Sequence, residues 1–249
     1  MKILYFTGTG NNLHVAKVIG GELYSIPKLI KENKYEFEDD KIGIIFPVYT
    51  LGLPKIVEEF LNKAKLESKY IFAIATYGTT PGNSDKQLLK IAKKNNFEFS
   101  YINSVCMVDN YLPMFDIEKE IAKKSNEDID KNINSIVKDI ESNKIFINSN
   151  ANIALRIIGS LISNDYSKLT DKFIIDSNKC IECGICENVC PVNNVKIIDK
   201  SAKYNGECQG CLACVNHCPK YAIKLKKEKG TARFINPNIT LKEIIESNN

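Results

Sequence analysis

The stretch Cys180-Ile181-Glu182-Cys183-Gly184-Ile185-Cys186-Glu187-Asn188-Val189-Cys190-Pro191 returns 28 residues later as Cys208-Gln209-Gly210-Cys211-Leu212-Ala213-Cys214-Val215-Asn216-His217-Cys218-Pro219. In each copy the first three cysteines stand two residues apart, the fourth follows after three, and proline redirects the chain. Such spacing lets a tight loop turn three thiolates onto one centre while the fourth is displaced. The offset marks a duplicated half-unit. Eight of the nine cysteines in the 249-residue chain lie in these two runs, so they reflect local chemistry and not composition drift. Structural zinc also uses Cys-x2-Cys pairs, in tetrahedral sets of four. The full x2, x2, x3 run ending in Cys-Pro, twice over, favours iron–sulfur.

Outward from this module, the first half of the chain alternates short apolar strands with amphipathic helices. Strands are expected at Lys2–Phe6, Leu23–Ile26, Ile42–Phe46, Tyr70–Ala75 and Phe97–Val108. Helices are expected from Leu13 to Ile19, from Pro54 through Leu61, and over Asp85–Lys94. Ile117, Ile121, Ile129, Ile133, Ile136 and Ile140 keep helical spacing and predict one long helix. Five strands with intervening helices predict an α/β, doubly wound, five-stranded parallel sheet over residues 1–145, which binds ligands beyond the carboxyl ends of its strands. Residues 146–170 read as a connector with a short helix at Ile153–Ile162, whose Leu155, Ile157, Ile158, Leu161 and Ile162 are expected to pack between domains. A small α+β cysteine domain follows over 171–228. The tail, 229–249, ends in a helix that Thr240 and Glu243 should close as a capping box.

The cysteine module resembles the bacterial dicluster ferredoxin family, both motifs intact. That resemblance implies a low-potential one-electron carrier in which the fourth cysteine of each run serves the other cluster. Cys180, Cys183, Cys186 and Cys218 would then hold one [4Fe–4S] cluster, and Cys208, Cys211, Cys214 and Cys190 the second. His217 would be redundant beside four thiolates and reads as a loop residue.

Between the first strand and helix lies Thr7-Gly8-Thr9-Gly10-Asn11-Asn12. Its backbone N–H groups, hydroxyls and helix N-terminus suit a phosphate, although it holds no Lys or Arg and is neither a Walker A loop nor a G-x-G-x-x-G fingerprint. The alternative is a plain Gly-rich turn. The loop resembles the T-x-T-G-N-T phosphate loop of the flavodoxin family, with Asn12 in place of the final Thr. By that resemblance Thr7, Thr9, Asn11 and Asn12 would contact the phosphate of FMN, and Gly8 and Gly10 would permit its close approach. The ring would lie between Pro47-Val48-Tyr49-Thr50-Leu51-Gly52 and Thr76-Tyr77-Gly78-Thr79, with Tyr49 and Tyr77 as stacking candidates. Asp109-Asn110-Tyr111 closes the fifth strand on the same edge. Cys106 reads as a buried core thiol, and His14 as solvated.

The two halves together resemble a flavodoxin–ferredoxin fusion family of anaerobic microbes. The resemblance implies an electron-transfer protein that relays electrons between two [4Fe–4S] clusters and FMN and exchanges them with redox partner proteins. Two alternatives are a ferredoxin-fed, FMN-dependent reductase of a small acceptor and a redox or oxygen sensor. No acid, base or nucleophile constellation points to a particular substrate.

Charge and composition narrow the classes. A chain 44% apolar and 26% charged builds a real core. Residues 1–165 carry 21 basic and 21 acidic side chains, whereas residues 166–249 carry 13 and 9, so the net +4 sits in the cysteine-bearing end. Two clusters with thiolate ligands, each about −2, would cancel it; no nucleic-acid partner is expected. No apolar run reaches the ~20 residues that span a bilayer, so no membrane role is expected. Met1–Phe6 runs straight into a turn and does not read as a signal peptide. The expectation is a cytoplasmic protein with reduced thiols.

Overall fold

The computed structural model describes residues 1–148 and 166–249. Six strands, β1 (Lys2–Tyr5), β2 (Glu22–Ser25), β4 (Lys41–Pro47), β6 (Tyr70–Tyr77), β7 (Tyr101–Cys106) and β8 (Phe146–Ile147), pair in the order β2-β1-β4-β6-β7-β8. Every pairing is parallel. β4 and β6 are almost continuously buried, as strands covered by helices on both faces must be. One core joins Leu4, Phe6, Ile42, Ile44 and Phe46 to α2 (Ile26–Lys31), α3 (Lys55–Leu61) and α4 (Ser84–Lys94). The other joins Ile3, Tyr5, Ile45, Phe72 and Ile74 to α1 (Asn11–Ile19) and α6 (Asn126–Glu141).

Several expectations need correction. Among the described residues the sheet has six strands, not five: β8 adds Phe146 opposite Tyr101 and Ile147 opposite Ile102, two residues too few to leave a periodic signal. β3 (Glu36–Glu38) and β5 (Lys65–Glu67) form a separate parallel ribbon. Each buries one apolar residue, Phe37 or Leu66, between charged ones. The strand expected over Phe97–Val108 is confined to Tyr101–Cys106. The long helix is two, α5 (Ile117–Ala122) and α6, because Ser125 accepts a bond from Asp128 N–H and starts a new N-terminus with Glu127 and Asp128 in its first turn. The helix expected at Ile153–Ile162 lies outside the described residues.

The cysteine-bearing half has an internal pseudo-symmetry. A 3-10 turn (Ser167–Lys172) leads into β9 (Phe173–Ile175), which pairs antiparallel with β12 (Ile223–Leu225); β10 (Val195–Ile198) pairs antiparallel with β11 (Ser201–Tyr204). Short helices α7 (Ile185–Asn188) and α8 (Ala213–Asn216) follow the two cysteine loops. Val189, just after α7, and Ala213 of α8 are buried in the α1-side core of the sheet domain, so the halves share apolar packing.

The last helix, α9 (Leu241–Asn248), carries the expected capping box of Thr240 and Glu243. It ties the halves together. Tyr5 and Ser247 hydroxyls lie 2.8 Å apart, Lys31 Nζ donates to Asn248 O at 2.5 Å, and Asn248 Nδ2 donates to Val189 O at 3.0 Å. Among the described residues no helix is long and apolar enough to cross a membrane.

Candidate functional site

Because each motif turns before its short helix, its first three thiols stay on the loop and first helical turn, and the fourth passes to the far end. The result is two cavities with crossed linings. One is lined by Cys180, Cys183, Cys186 and Cys218 among apolar neighbours that include Ile175, Ile197 and Ile223. The other is lined by Cys208, Cys211, Cys214 and Cys190 with Phe173, Val195 and Leu212. Among the described residues no three Cys, His, Asp or Glu side chains are arranged around a single metal ion. Four thiols line each cavity, a donor set that fits a multi-iron cubane.

The surroundings of the sulfurs are those of thiolate ligands. Asn194 N–H donates to Cys190 Sγ at 3.1 Å, Ala222 N–H to Cys218 Sγ at 3.3 Å, and Gly210 N–H to Cys208 Sγ at 3.4 Å. The Tyr204 hydroxyl donates to Cys214 Sγ at 3.7 Å. Burial, with Cys218 and Cys183 nearby, pushes the Cys186 thiol up to about 12. Burial likewise raises Cys208, Cys211 and Cys214, with Cys190 adding to each. Free thiols in these places stay protonated, so a metal must displace the proton.

The two loops differ in what covers them. Ile181 is 57% exposed and Cys183 is exposed. The second loop, by contrast, is pressed against the carboxyl edge of the sheet. A Cβ on Gly8 would lie 2.7 Å from the Cys211 carbonyl oxygen, and one on Gly210 would lie 2.6 Å from the Tyr166 ring. Buried Gln209 accepts the Ile56 N–H at 3.1 Å and so caps the start of α3. Tyr49 packs edge-on against Phe6 and Tyr166, and burial beside Cys211 raises its hydroxyl well above the ordinary tyrosine range.

This packing decides whether the Thr7–Asn12 loop fits a flavin phosphate. A phosphate-sized space would leave the loop atoms accessible, yet Thr7, Thr9, Asn11 and Asn12 are 1%, 4%, 8% and 2% exposed. Gly10 faces Asn236 and Ile239, whose Cβ atoms would lie 3.0 and 3.1 Å from a Cβ placed there. The polar side chains are engaged within the protein. Thr7 Oγ1 accepts Gly10 N–H, Thr9 Oγ1 accepts Asn110 Nδ2, Asn11 Oδ1 accepts Asn236 Nδ2, and Asn12 Oδ1 accepts the Thr76 hydroxyl. As placed, Thr7, Gly8, Thr9, Gly10, Asn11 and Asn12 do not fit FMN phosphate. Protein atoms already fill the approach that the two glycines leave open.

The other flavin candidates are similarly engaged. Val48 and Tyr49 pack on the sheet core beside Pro47, Thr50 bonds the Tyr166 hydroxyl, and Gly52 bridges back to Tyr49 under Gln87. Gly78 lies against Asp109, and Thr79 donates to Asp109 Oδ2 at 3.3 Å. Tyr77 is half-buried beside Cys106 and does not stand free over a ring site. Cys106 is not a core thiol: at the carboxyl end of β7 it is half-buried, with Lys124 Nζ 2.9 Å away. His14 is not solvated but wedged 3.6 Å from Asp130. His217 ends α8, buried, with Nδ1 2.9 Å from Ala213 O, and burial lowers its pKa. Sequence reasoning missed Gln209, Tyr166, Asn236 and Ile239, whose partners lie far away in the chain.

Residues 172–234 match the family model of a 4Fe-4S dicluster domain. No curated protein matches the chain. Among solved structures, one described as a candidate flavoprotein from Bacteroides uniformis ATCC 8492 is 17% identical, covers 49% of this chain and 96% of its own, and has a TM-score of 0.33. So loose a likeness assigns no ligand. The cysteine-bearing half is a ferredoxin-type 4Fe–4S domain, and its chemistry supports electron transfer.

Proposed function

We propose that the chain is an electron-transfer protein with two [4Fe–4S] clusters, one held by Cys180, Cys183, Cys186 and Cys218, the other by Cys208, Cys211, Cys214 and Cys190. The observation that carries this reading is the crossed lining of the two cavities, three thiols from one motif and the fourth from its repeat. Each cluster, when bound, takes up and gives back one electron. The chain's own residues do the rest. N–H donors from Asn194, Gly210 and Ala222 and the Tyr204 hydroxyl stabilise negative charge on sulfur. Ile175, Ile197, Ile223, Phe173 and Leu212 keep water from the cavities.

Exchange with redox partner proteins belongs at the Cys180–Gly184 loop, the face on which a cysteine ligand is exposed. Unpaired thiols suit a reducing compartment, the cytoplasm. FMN has no part in this reading, because the loop expected to hold its phosphate is filled. Anaerobic purification followed by iron and sulfide analysis tests the proposal: about eight irons per chain are expected. Four irons, or zinc in their place, would refute it.

A further inference from the structure

We infer that the carboxyl-edge crevice of the sheet is a seat for the chain's own second cysteine loop, and that Gly8 is a positioning residue for the cluster held there. The inference rests on the two-cluster reading above.

The crevice is the one that sheet topology makes. Strand order reverses at β1, whose neighbours β2 and β4 are reached in opposite directions, and a doubly wound sheet opens its binding crevice outside the strand ends at such a point. The loop after β1 is Phe6-Thr7-Gly8, and the loop after β4 is Val48-Tyr49-Thr50. Both meet the second motif. Gly8 backs onto the Cys211 carbonyl and Cβ, which a Cβ on Gly8 would approach to 2.7 and 3.1 Å. Tyr49, half-buried, packs with Cys211 against the same core. From the neighbouring α3, the Ile56 N–H is satisfied by Gln209 at 3.1 Å. Three successive residues of one cluster loop, Gln209, Gly210 and Cys211, are thus held by Ile56, Tyr166 and Gly8.

The tail completes the seat. Asn236 N–H donates to Thr9 O at 2.8 Å, and Asn236 Nδ2 donates to Asn11 Oδ1 at 3.0 Å. A loop whose sequence suits an anion instead binds neutral groups of its own chain. Its glycines permit close approach, as a phosphate would require, but the approaching atoms are a cysteine carbonyl and an asparagine side chain.

The test uses the anaerobically purified, cluster-loaded full chain. In Gly8→Ala the added methyl must push the Cys211 backbone away. Iron is expected to fall from about eight toward about four, or the midpoint potential of one cluster to shift while the other keeps its wild-type value. If Gly8→Ala does not fold, Gln209→Met supplies the same readout, one potential shifted and one unchanged. Wild-type holoprotein titrated with FMN is expected to leave flavin fluorescence unquenched. Two unchanged potentials with eight irons in the variant that folds, or stoichiometric FMN binding with the clusters retained, would overturn the seat alone. A wild-type protein without iron would overturn the two-cluster reading and the seat with it.

Discussion

Glu182 and Gly210 stand at the same place in the two cysteine motifs and share a left-handed backbone, with φ of 54° and 71°. One loop tolerates a long charged side chain there, with Glu182 Oε1 accepting the Lys200 N–H at 3.1 Å. The other tolerates only glycine, because the Tyr166 ring lies where a Cβ would go. The neighbouring pair reverses the assignment: Gly184 has φ 72° and buried Leu212 has φ 54°. Backbone shape is therefore common to both copies, and the glycines report what presses on the loop. Ile181 and Gln209 carry the same contrast, one exposed to solvent and one buried as a helix cap. A duplicated motif has been divided into an outward-facing half, open to solvent, and an inward-facing half held by the sheet.

The harshest way to break this division is through the fourth cysteines, which cross it. Cys190→Ser lies in the outward motif but should remove the inward cluster, and Cys218→Ser the reverse. Each is expected to halve the iron from about eight to about four. In Cys190→Ser the surviving cluster should still exchange electrons rapidly with a soluble oxidant, and in Cys218→Ser slowly. A milder blow is to exchange the residues at the left-handed site. Gly210→Glu combines overpacking with backbone strain and should cost about 3 kcal/mol, lowering the Tm by about 5–10 °C. Glu182→Gly should stay within about 1 kcal/mol.

The gentlest test loosens the tail that completes the inward side. Thr240→Ala removes the cap of α9 and should cost about 1 kcal/mol in thermal unfolding. Lys17 and the Thr240 N–H and hydroxyl hold the Glu243 carboxyl at about 2, against an ordinary value of 4.5. A depressed carboxylate stabilises fully above its unfolded value and loses that contribution as pH falls through the folded one. The part of the Thr240→Ala penalty that comes from the hydroxyl's bond to the carboxylate should therefore be complete above about pH 4.5 and fade toward pH 2, while the part from the Glu243 N–H cap bond persists.

Local covalent spacing was readable from the chain alone. The x2, x2, x3 run of cysteines fixes which thiols share a loop, and the apolar runs Ile42–Phe46 and Tyr70–Ala75 fix the central strands. What stayed hidden depends on partners distant in sequence. Glu36–Glu38 and Lys65–Glu67 look polar until their single apolar residues meet the core. Asn126 starts a new helix because Ser125 outcompetes helix continuation, which isoleucine spacing cannot register. The Thr7–Asn12 loop is the sharpest case. Its residues specify close approach and hydrogen bonding, but what approaches is decided by Asn236 and Cys211, more than 200 residues downstream. Composition of a loop names a capacity; the fold chooses its occupant.

The tail also sets a sequence of events in biosynthesis. Chains are made amino end first, so the sheet domain and all eight motif cysteines are synthesised before Asn236, Ile239 and α9. Until then the Thr9 carbonyl and the Asn11 side-chain oxygen lack Asn236, and the carbonyl of Val189 lacks Asn248. The groups that close the seat of the inward loop thus follow the cysteine loops in translation order, leaving an interval in which the cysteine residues have been made and the latch over them has not.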